Sequence, residues 1–365
     1  MKVIVQILRI IIAAVFIFSG FVKLVDSLGS AYKFEEYFAP DVLNLEFLIP
    51  FALPFAILLI LAELLLGVFL LIGFKSKLTV VSLFVLTLIF LFLTWYSAYY
   101  NKVTDCGCFG DAITLTPWET FYKNVVFIVF IVVIWFGVEY VKPLFAPVVV
   151  KWVSFITFLL ALLVTYYVLQ HLPIIDFRPY AVGKNIPEGM VIPEGAKEAV
   201  YEVTWIYNVN GKNRKFTMEE KPWEIEGATF VDRETVLVEK GYEPPIHDFS
   251  MEKDGVDFTE FLMQKEKLML IIMYDIDKVD KSLLPKVQTL TEKAMHNGYD
   301  VYAMTASKKE DFEQIKADYN LHFDMLFCDA TTLKTIVRAN PGIVMLNKGT
   351  ITSKWNATDA DEIKL

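Results

Sequence analysis

Two of the three cysteines in this chain, Cys106 and Cys108, stand one glycine apart in Thr104-Asp105-Cys106-Gly107-Cys108-Phe109-Gly110-Asp111. A pair this close can pass between two thiols and one disulfide, or share a soft metal ion. Closing a disulfide across a single residue makes a small ring, and Gly107 provides the backbone freedom it needs. Strained bridges of this kind are labile and oxidising, which suits exchange chemistry. Asp105 and Asp111 disfavour the attacking thiolate, so no activation is written into the loop itself. The metal alternative lacks neighbouring His, Met or further Cys ligands, and a purely structural bridge across so short a loop gains little entropy.

Further titratable groups are scattered. Glu63 lies mid-way along Ile60-Leu61-Ala62-Glu63-Leu64-Leu65-Leu66-Gly67, where a carboxyl must face protein and be protonated or paired. It is read either as a proton relay or polar wall for a head group, or as a packing hydrogen bond between helices. Arg9 and Lys23 lie nearer the ends of an apolar run and are expected to snorkel. His171, His247, His296 and His322 show no ligand spacing, and no metal site is expected.

The cysteine loop interrupts long apolar runs. Of 365 residues, 55% are hydrophobic, more than an ordinary soluble chain carries, and the excess is concentrated in residues 1–170. About 20 apolar residues cross a bilayer, and five runs qualify, near 3–25, 48–73, 78–100, 118–140 and 148–170. No small-residue cleavage site follows the first, so it is read as a retained span. Positive charge in the short loops (Lys2 and Arg9, Lys75 and Lys77, Lys142 and Lys151) predicts a cytoplasmic N-terminus. The acidic loop after span one, the cysteine loop and the C-terminal half then lie outside. Trp95, Tyr96, Tyr99 and Tyr100 close span three, Trp118 and Tyr122 open span four, and Pro117 with Thr116 as N-cap fits a helix start. A net charge of −9 excludes nucleic acid as a partner. Membrane lipid and a protein client or redox partner are expected instead.

Phe18-Ser19-Gly20-Phe21-Val22-Lys23-Leu24-Val25-Asp26, Glu63 with Gly67, and Asp105-Cys106-Gly107-Cys108-Phe109-Gly110-Asp111 resemble the DoxX/MauE-type family of small membrane redox-associated proteins. The resemblance covers about residues 1–140 and implies a four-helix bundle linked to thiol–disulfide traffic or to maturation of exported proteins. It carries over Cys106 and Cys108, with Lys23 and Glu63 as weaker candidates. Some relatives belong to quinone-linked oxidoreductases, so it also allows a quinone as electron carrier. A fifth transmembrane helix, over 141–175, lies outside that unit as a tether.

Residues 176–242 read as a β-rich connector. Val200–Val209 alternates, Asn210-Gly211 is a hairpin signal, and Lys215–Met218 and Val236–Glu239 supply further strands. From about 243 to 365, strands alternate with helices: Lys267–Tyr274, a helix near 280–297, Asp300–Thr305, a helix near 308–318, Met325–Asp329, a helix near 331–338 and a hairpin from Asn340. This order resembles the thioredoxin-like fold, in which Asn340-Pro341 would occupy the family's cis-proline position. The departure is chemical. Where a redox thioredoxin carries Cys-x-x-Cys, this chain has Tyr274-Asp275-Ile276-Asp277-Lys278-Val279-Asp280, and Asp275 and Asp277 are read as solvated loop acids. Cys328 is either a small buried hydrophobe or a third thiol, facing a groove beside Pro341 and meeting the loop cysteines.

The expected architecture is an α-helical membrane bundle, four DoxX-like helices plus a fifth, followed by an α/β thioredoxin-like external domain. The expected site is Cys106 and Cys108, with Cys328 and Glu63 as further catalytic candidates and Gly107 and Pro341 in structural roles. Two functions fit: a membrane thiol–disulfide oxidoreductase, or a non-enzymatic membrane-anchored assembly factor that binds clients. The compartment would be a cell inner membrane with the C-terminal domain periplasmic.

Overall fold

Close approach of α1 (Lys2–Val25) to a later helix sets the geometry of the N-terminal half of this computed structural model, which describes all residues except 104–106, 210 and 240. After α1 come α2 (Ser27–Phe38), α3 (Ala52–Ile72), α4 (Ser76–Tyr100), α5 (Pro117–Phe136) and α6 (Pro147–Gln170). A Cβ at Gly20 would sit 2.7 Å from the backbone nitrogen of Leu64, and one at Gly67 would sit 2.9 Å from that of Ile17. Two glycines, one on each helix, therefore let α1 and α3 touch backbone to backbone, as small residues do between helices in lipid. Val5, Ile12, Ala13 and Phe16 of α1 meet Leu70 of α3, Val80 and Leu83 of α4, and Ile131 and Ile134 of α5 in one apolar core. Ala161 of α6 packs separately against Leu24, Ile60 and Leu64.

Among the described residues, five helices are long and apolar enough to cross a membrane: Lys2–Val25, Glu46–Ile72 (α3 with the 3₁₀ turn before it), Ser76–Tyr100, Pro117–Phe136 and Pro147–Gln170. The start of α5 is capped as its residues suggest, with Thr116 and Glu119 forming a capping box and Pro117 in the first turn. Its end is earlier than 140, because the chain turns at Gly137 into a 3₁₀ turn over Val138–Tyr140.

The acidic stretch after α1 is not a plain loop. Asp26 caps α2 by accepting from the Gly29 amide at 3.0 Å, and the helix buries Ala31, Tyr37 and Phe38. Phe34 and Phe38 pack on Phe55 with ring centroids 6.1 and 5.8 Å apart. The five acids of the segment conceal this apolar stripe when the residues are read in order.

Residues Asn185–Phe249 form a unit of their own. It holds a short helix, α7 (Ile186–Met190), and a three-stranded antiparallel sheet in which β1 (Val200–Val209) lies between β2 (Lys212–Phe216) and β3 (Thr229–Glu239). The turn residue Asn210 lies outside the described residues.

Ser250–Leu365 belongs to the same compact unit as Met1–Lys184. It contains β4 (Glu252–Lys253), β5 (Val256–Asp257), α8 (Thr259–Met263), β6 (Leu268–Ile272), α9 (Leu284–His296), β7 (Asp300–Thr305), α10 (Lys309–Asp318), β8 (Asp324–Phe327), α11 (Ala330–Ile336), β9 (Gly342–Asn347) and β10 (Thr350–Asn356). The strands make one sheet in the order β10-β9-β6-β7-β8-β4-β5. β6, β7 and β8 run parallel, while β9 is antiparallel to β6 and β10 to β9. β6 is buried at every position, as a central strand covered on both faces must be. Met269, Ile271 and Met273 pack with Leu284, Val287 and Leu290 of α9, Phe312 of α10, and Ile343 and Met345 of β9. The segment after α6 lies along β10, with the Gly183 amide donating to Ile351 O at 2.8 Å and the Ile351 amide to Lys184 O at 2.9 Å. The Asn340–Pro341 peptide bond is cis.

Candidate functional site

The helical stripe that turns Arg9 into the bundle also turns Ser19 and Lys23 inward, toward α3. Lys23 is 6% exposed and Glu63 only 1%. Lys23 Nζ lies 2.9 and 2.8 Å from the two carboxylate oxygens of Glu63. Ser19 Oγ sits 2.8 Å from Lys23 Nζ and 2.8 Å from Glu63 Oε2. A lysine and a carboxylate held this way tolerate burial because each is the other's counter-ion. Snorkelling, the expectation for Lys23 and Arg9, does not occur. Arg9 is also buried and donates to Leu70 O at 2.9 Å and Leu71 O at 2.8 Å, satisfying carbonyls at the end of α3.

The cluster has a further member, and it comes from the cysteine loop. The backbone carbonyl of Cys108 accepts from Lys23 Nζ at 2.7 Å and lies 2.6 Å from Ser19 Oγ. The buried polar cluster is therefore the seat on which the loop rests. Gly107 adopts φ +60, and a Cβ there would press to 3.1 Å from Lys33 Cγ. The loop then turns through a bond from the Gly110 amide to Gly107 O at 3.1 Å. The Phe109 ring centroid lies 5.8 Å from that of Phe18 and 4.4 Å from Lys123 Nζ. Cys106 lies outside the described residues.

Asp111 extends the loop to the sheet domain. Arg338 Nη2 donates to Asp111 Oδ2 at 3.0 Å, and Arg338 Nε donates to Asp26 Oδ2 at 2.9 Å. Burial alone would lower the Arg338 pKa, yet Asp26 and Asp111 outweigh it and hold the guanidinium above its ordinary value. Lys334, one turn earlier, pairs with Glu35 at 3.1 Å and lies 4.5 Å from the Tyr32 ring centroid. The Tyr32 and Tyr274 hydroxyls are 3.2 Å apart, and burial raises both phenols. Tyr274 follows β6, and Asn340 Nδ2 donates to Asp275 O at 2.8 Å beside Pro341. The end of the sheet where β6 finishes and β9 begins thus faces α2 and the cysteine loop.

A second anchor lies nearby. Asp176 receives Arg178 Nε at 2.7 Å and also Lys354 Nζ. Burial alone would raise the Asp176 carboxyl, but the two cations bring it below its ordinary value. Burial, with Arg178 beside it, pushes Lys354 down to about 8.

The other sequence candidates are placed elsewhere. Cys328 is fully buried, and its amide donates to Thr305 O at 3.1 Å. Burial pushes its thiol up to about 11. β8 is separated from β9 by β6 and β7, three strand spacings or roughly 14 Å, so Cys328 does not line a groove beside Pro341. Asp275 caps the following turn through the Asp277 amide and pairs with Lys278 at 3.1 Å. His171 ends α6 and pairs with Asp359 at 2.8 Å. Among the described residues no group of three His, Cys, Asp or Glu is placed to hold a metal ion.

Asp26, Tyr32, Lys334 and Arg338 were not legible as site residues. Arg338 and Asp26 are 312 positions apart, and nothing in either local sequence names its partner.

Five membrane-capable helices and a sheet domain seated on their loops define a multi-pass membrane protein with an α/β domain. Residues 1–137 match the family model described as methylamine utilisation protein MauE, and the helices, the Lys23–Glu63 pair and the Cys108 loop all lie within that stretch. Residues 201–240, within the three-stranded unit, match a domain of unknown function, DUF8463. No curated protein and no solved structure matches the chain.

Proposed function

We propose that the protein is an inner-membrane thiol–disulfide exchange factor acting in the maturation of exported proteins, with Cys106 and Cys108 as its redox pair. The observation that carries this reading is the direct seating of the Cys108 carbonyl on buried Lys23 and Ser19. A loop whose only duty was to join two helices would have no use for a charged cluster inside the bundle. A fixed carbonyl leaves the adjoining thiol with a set direction, the kind of positioning that exchange requires. In the forward step a client thiolate attacks one sulfur of the Cys106–Cys108 disulfide, and the other sulfur leaves and takes a proton. The second client thiol then displaces the mixed disulfide, so the client loses two electrons and the loop gains two thiols.

In this reading the N-terminus is cytoplasmic and the sheet domain periplasmic. The sheet domain is thioredoxin-like and serves as a binding module. The strand order β7-β6-β9-β10 supports that reading. The segment after β6 carries no cysteine, so the module recognises clients and the bundle supplies the thiols. The family description adds the narrower form of the proposal, a role in methylamine utilisation.

One observation favours a second reading, a non-enzymatic assembly factor: the domain's sole cysteine, Cys328, is fully buried. Replacing Cys106 and Cys108 together by Ser separates the two. Client maturation lost with normal membrane insertion supports exchange, and maturation unchanged supports assembly.

A further inference from the structure

The three strands of the Asn185–Phe249 unit sort their side chains onto two unlike faces. Side chains alternate along β1, so Tyr201, Val203, Trp205, Tyr207 and Val209 share one face. Cross-strand pairing adds Phe216 and Arg233 beside Trp205, Arg214 and Phe230 beside Tyr207, and Lys212 beside Val209. Ring contacts agree with this placement. The Phe230 centroid lies 6.1 Å from that of Trp205 and 5.6 Å from that of Tyr207, and Phe216 lies 6.3 Å from Tyr207. The Arg233 guanidinium sits 5.8 Å from the Trp205 ring centroid, and Trp223, from the connection between β2 and β3, adds a ring 6.4 Å from Trp205.

The opposite face carries the acids of the strands. Glu202, Asp232 and Glu234 lie there with Lys215, which pairs with Glu234 at 2.6 Å. Among the described residues, Lys212, Arg214 and Arg233 of the aromatic face pair with no carboxylate. The connection that carries Trp223 is acidic, but Glu220 there accepts from the Thr217 amide and Glu224 pairs with Lys221 at 3.4 Å. Tyr201, Phe230 and Trp223 are 58%, 56% and 51% exposed. The face is thus aromatic, basic and open.

We infer that this face lies on anionic phospholipid head groups and holds the three-stranded unit against the bilayer. Trp, Tyr and Phe beside Lys and Arg settle at a lipid–water boundary, with rings between the head groups and cations on the phosphates. The bilayer is always at hand, because the unit follows the membrane-capable helix Pro147–Gln170 on the same chain. A tethered contact needs little affinity of its own. Docking also gives the sheet a layer to pack on, which a lone three-stranded sheet lacks. A second copy of the face is a poor occupant, since its three unpaired cations would oppose these three. An acidic peptide would satisfy the cations and leave Tyr201, Phe230 and Trp223 in water.

The test uses the full-length protein in nanodiscs of phosphatidylcholine, with or without a third of phosphatidylglycerol. A phospholipid with a photoactivatable group at its head is the probe, and labelled residues are mapped by mass spectrometry with Tyr166 of α6 as internal reference. With phosphatidylglycerol, Tyr201, Trp223 and Phe230 should label at least fivefold more than without it, roughly the effect of one cation at an anionic surface. Lys212→Gln/Arg214→Gln/Arg233→Gln should lose that gain. Wild type in about 0.5 M salt should lose it too, an arm that needs no substitution. Lys215→Gln, on the opposite face, should keep it. Labelling that ignores phosphatidylglycerol, survives in the triple variant and in salt, or falls on Glu202 and Glu234 instead would overturn the inference. So would an unlabelled unit whose β1 and β3 amides are protected from hydrogen exchange by polyglutamate, a result that assigns the face to an acidic protein segment.

Discussion

Lys23 Nζ lies 2.7 Å from the backbone carbonyl oxygen of Cys108, so a charge inside the helical bundle holds the loop that carries the thiols. The same ammonium is the counter-ion of Glu63, and the two functions cannot be separated. Stability of the bundle and placement of the cysteine loop are therefore linked through one side chain.

Replacing Lys23 with Met leaves Glu63 buried without its cation, which costs about 3–5 kcal/mol when one member of a buried pair is removed. Thermal unfolding in detergent should show that loss. The double variant Lys23→Met/Glu63→Leu should recover most of it, since an apolar pair of similar size is often neutral. If Lys23→Met alone unfolds like wild type, the pair is not the seat described here.

Arg338 joins the sheet domain to Asp26 and Asp111. Arg338→Met should loosen the domain's hold on α2 and the cysteine loop, because two carboxylates lose a shared partner and the part-buried Lys334–Glu35 pair with the Tyr32–Tyr274 contact is left to hold that face. Hydrogen exchange in α2 and α11 should then quicken at least tenfold. Arg338→Lys should give an intermediate result, since a single ammonium cannot reproduce the two-sided guanidinium contact. Unchanged exchange in Arg338→Met would assign the docking to the Tyr32–Tyr274 contact instead.

Cys328 should resist N-ethylmaleimide in the folded protein near neutral pH. Its folded-state pKa is raised to about 11 by burial from an ordinary 9.0. A raised thiol pKa means that the folded state holds its proton more tightly than the unfolded chain does. Its contribution to stability is present below about pH 9 and is lost as pH rises through about 11. Labelling of Cys328 should therefore accelerate across that window, and rapid labelling at neutral pH would contradict the burial.

Gly20→Leu should separate α1 from α3, because even a Cβ would stand 2.7 Å from backbone. Overpacking of this sort costs about 1–3 kcal/mol, and the Lys23 contact to Cys108, one turn along α1, should loosen with it. Faster alkylation of Cys108 in Gly20→Leu than in wild type is the expected readout.

The five spans were legible because hydropathy sums along the chain and needs no knowledge of neighbours. The start of α5 was legible too, since Thr116, Pro117 and Glu119 encode a cap locally. α2 was hidden because the five acids of the wider segment, Asp26, Glu35, Glu36, Asp41 and Glu46, mask the apolar stripe of Ala31, Tyr37 and Phe38. The rotational setting of a helix within a bundle is decided by its partners. For that reason Lys23 and Arg9 read as end residues, although α3 draws both inward. Arg338 shows the same limit across domains, with carboxylate partners from two distant segments. The cysteine motif drew attention to the loop, but its anchoring to Ser19 and Lys23 depends on the packed fold.

The central claim is that Cys106 and Cys108 cycle between dithiol and disulfide. The most direct test labels intact cells with a membrane-impermeant maleimide before and after a reductant, reading the two positions by mass spectrometry in a Cys328→Ser background. Labelling that appears only after reduction, and is lost again on addition of oxidant, is the predicted result. Thiols that label equally under all three conditions would contradict it and leave the bundle as a scaffold for the sheet domain.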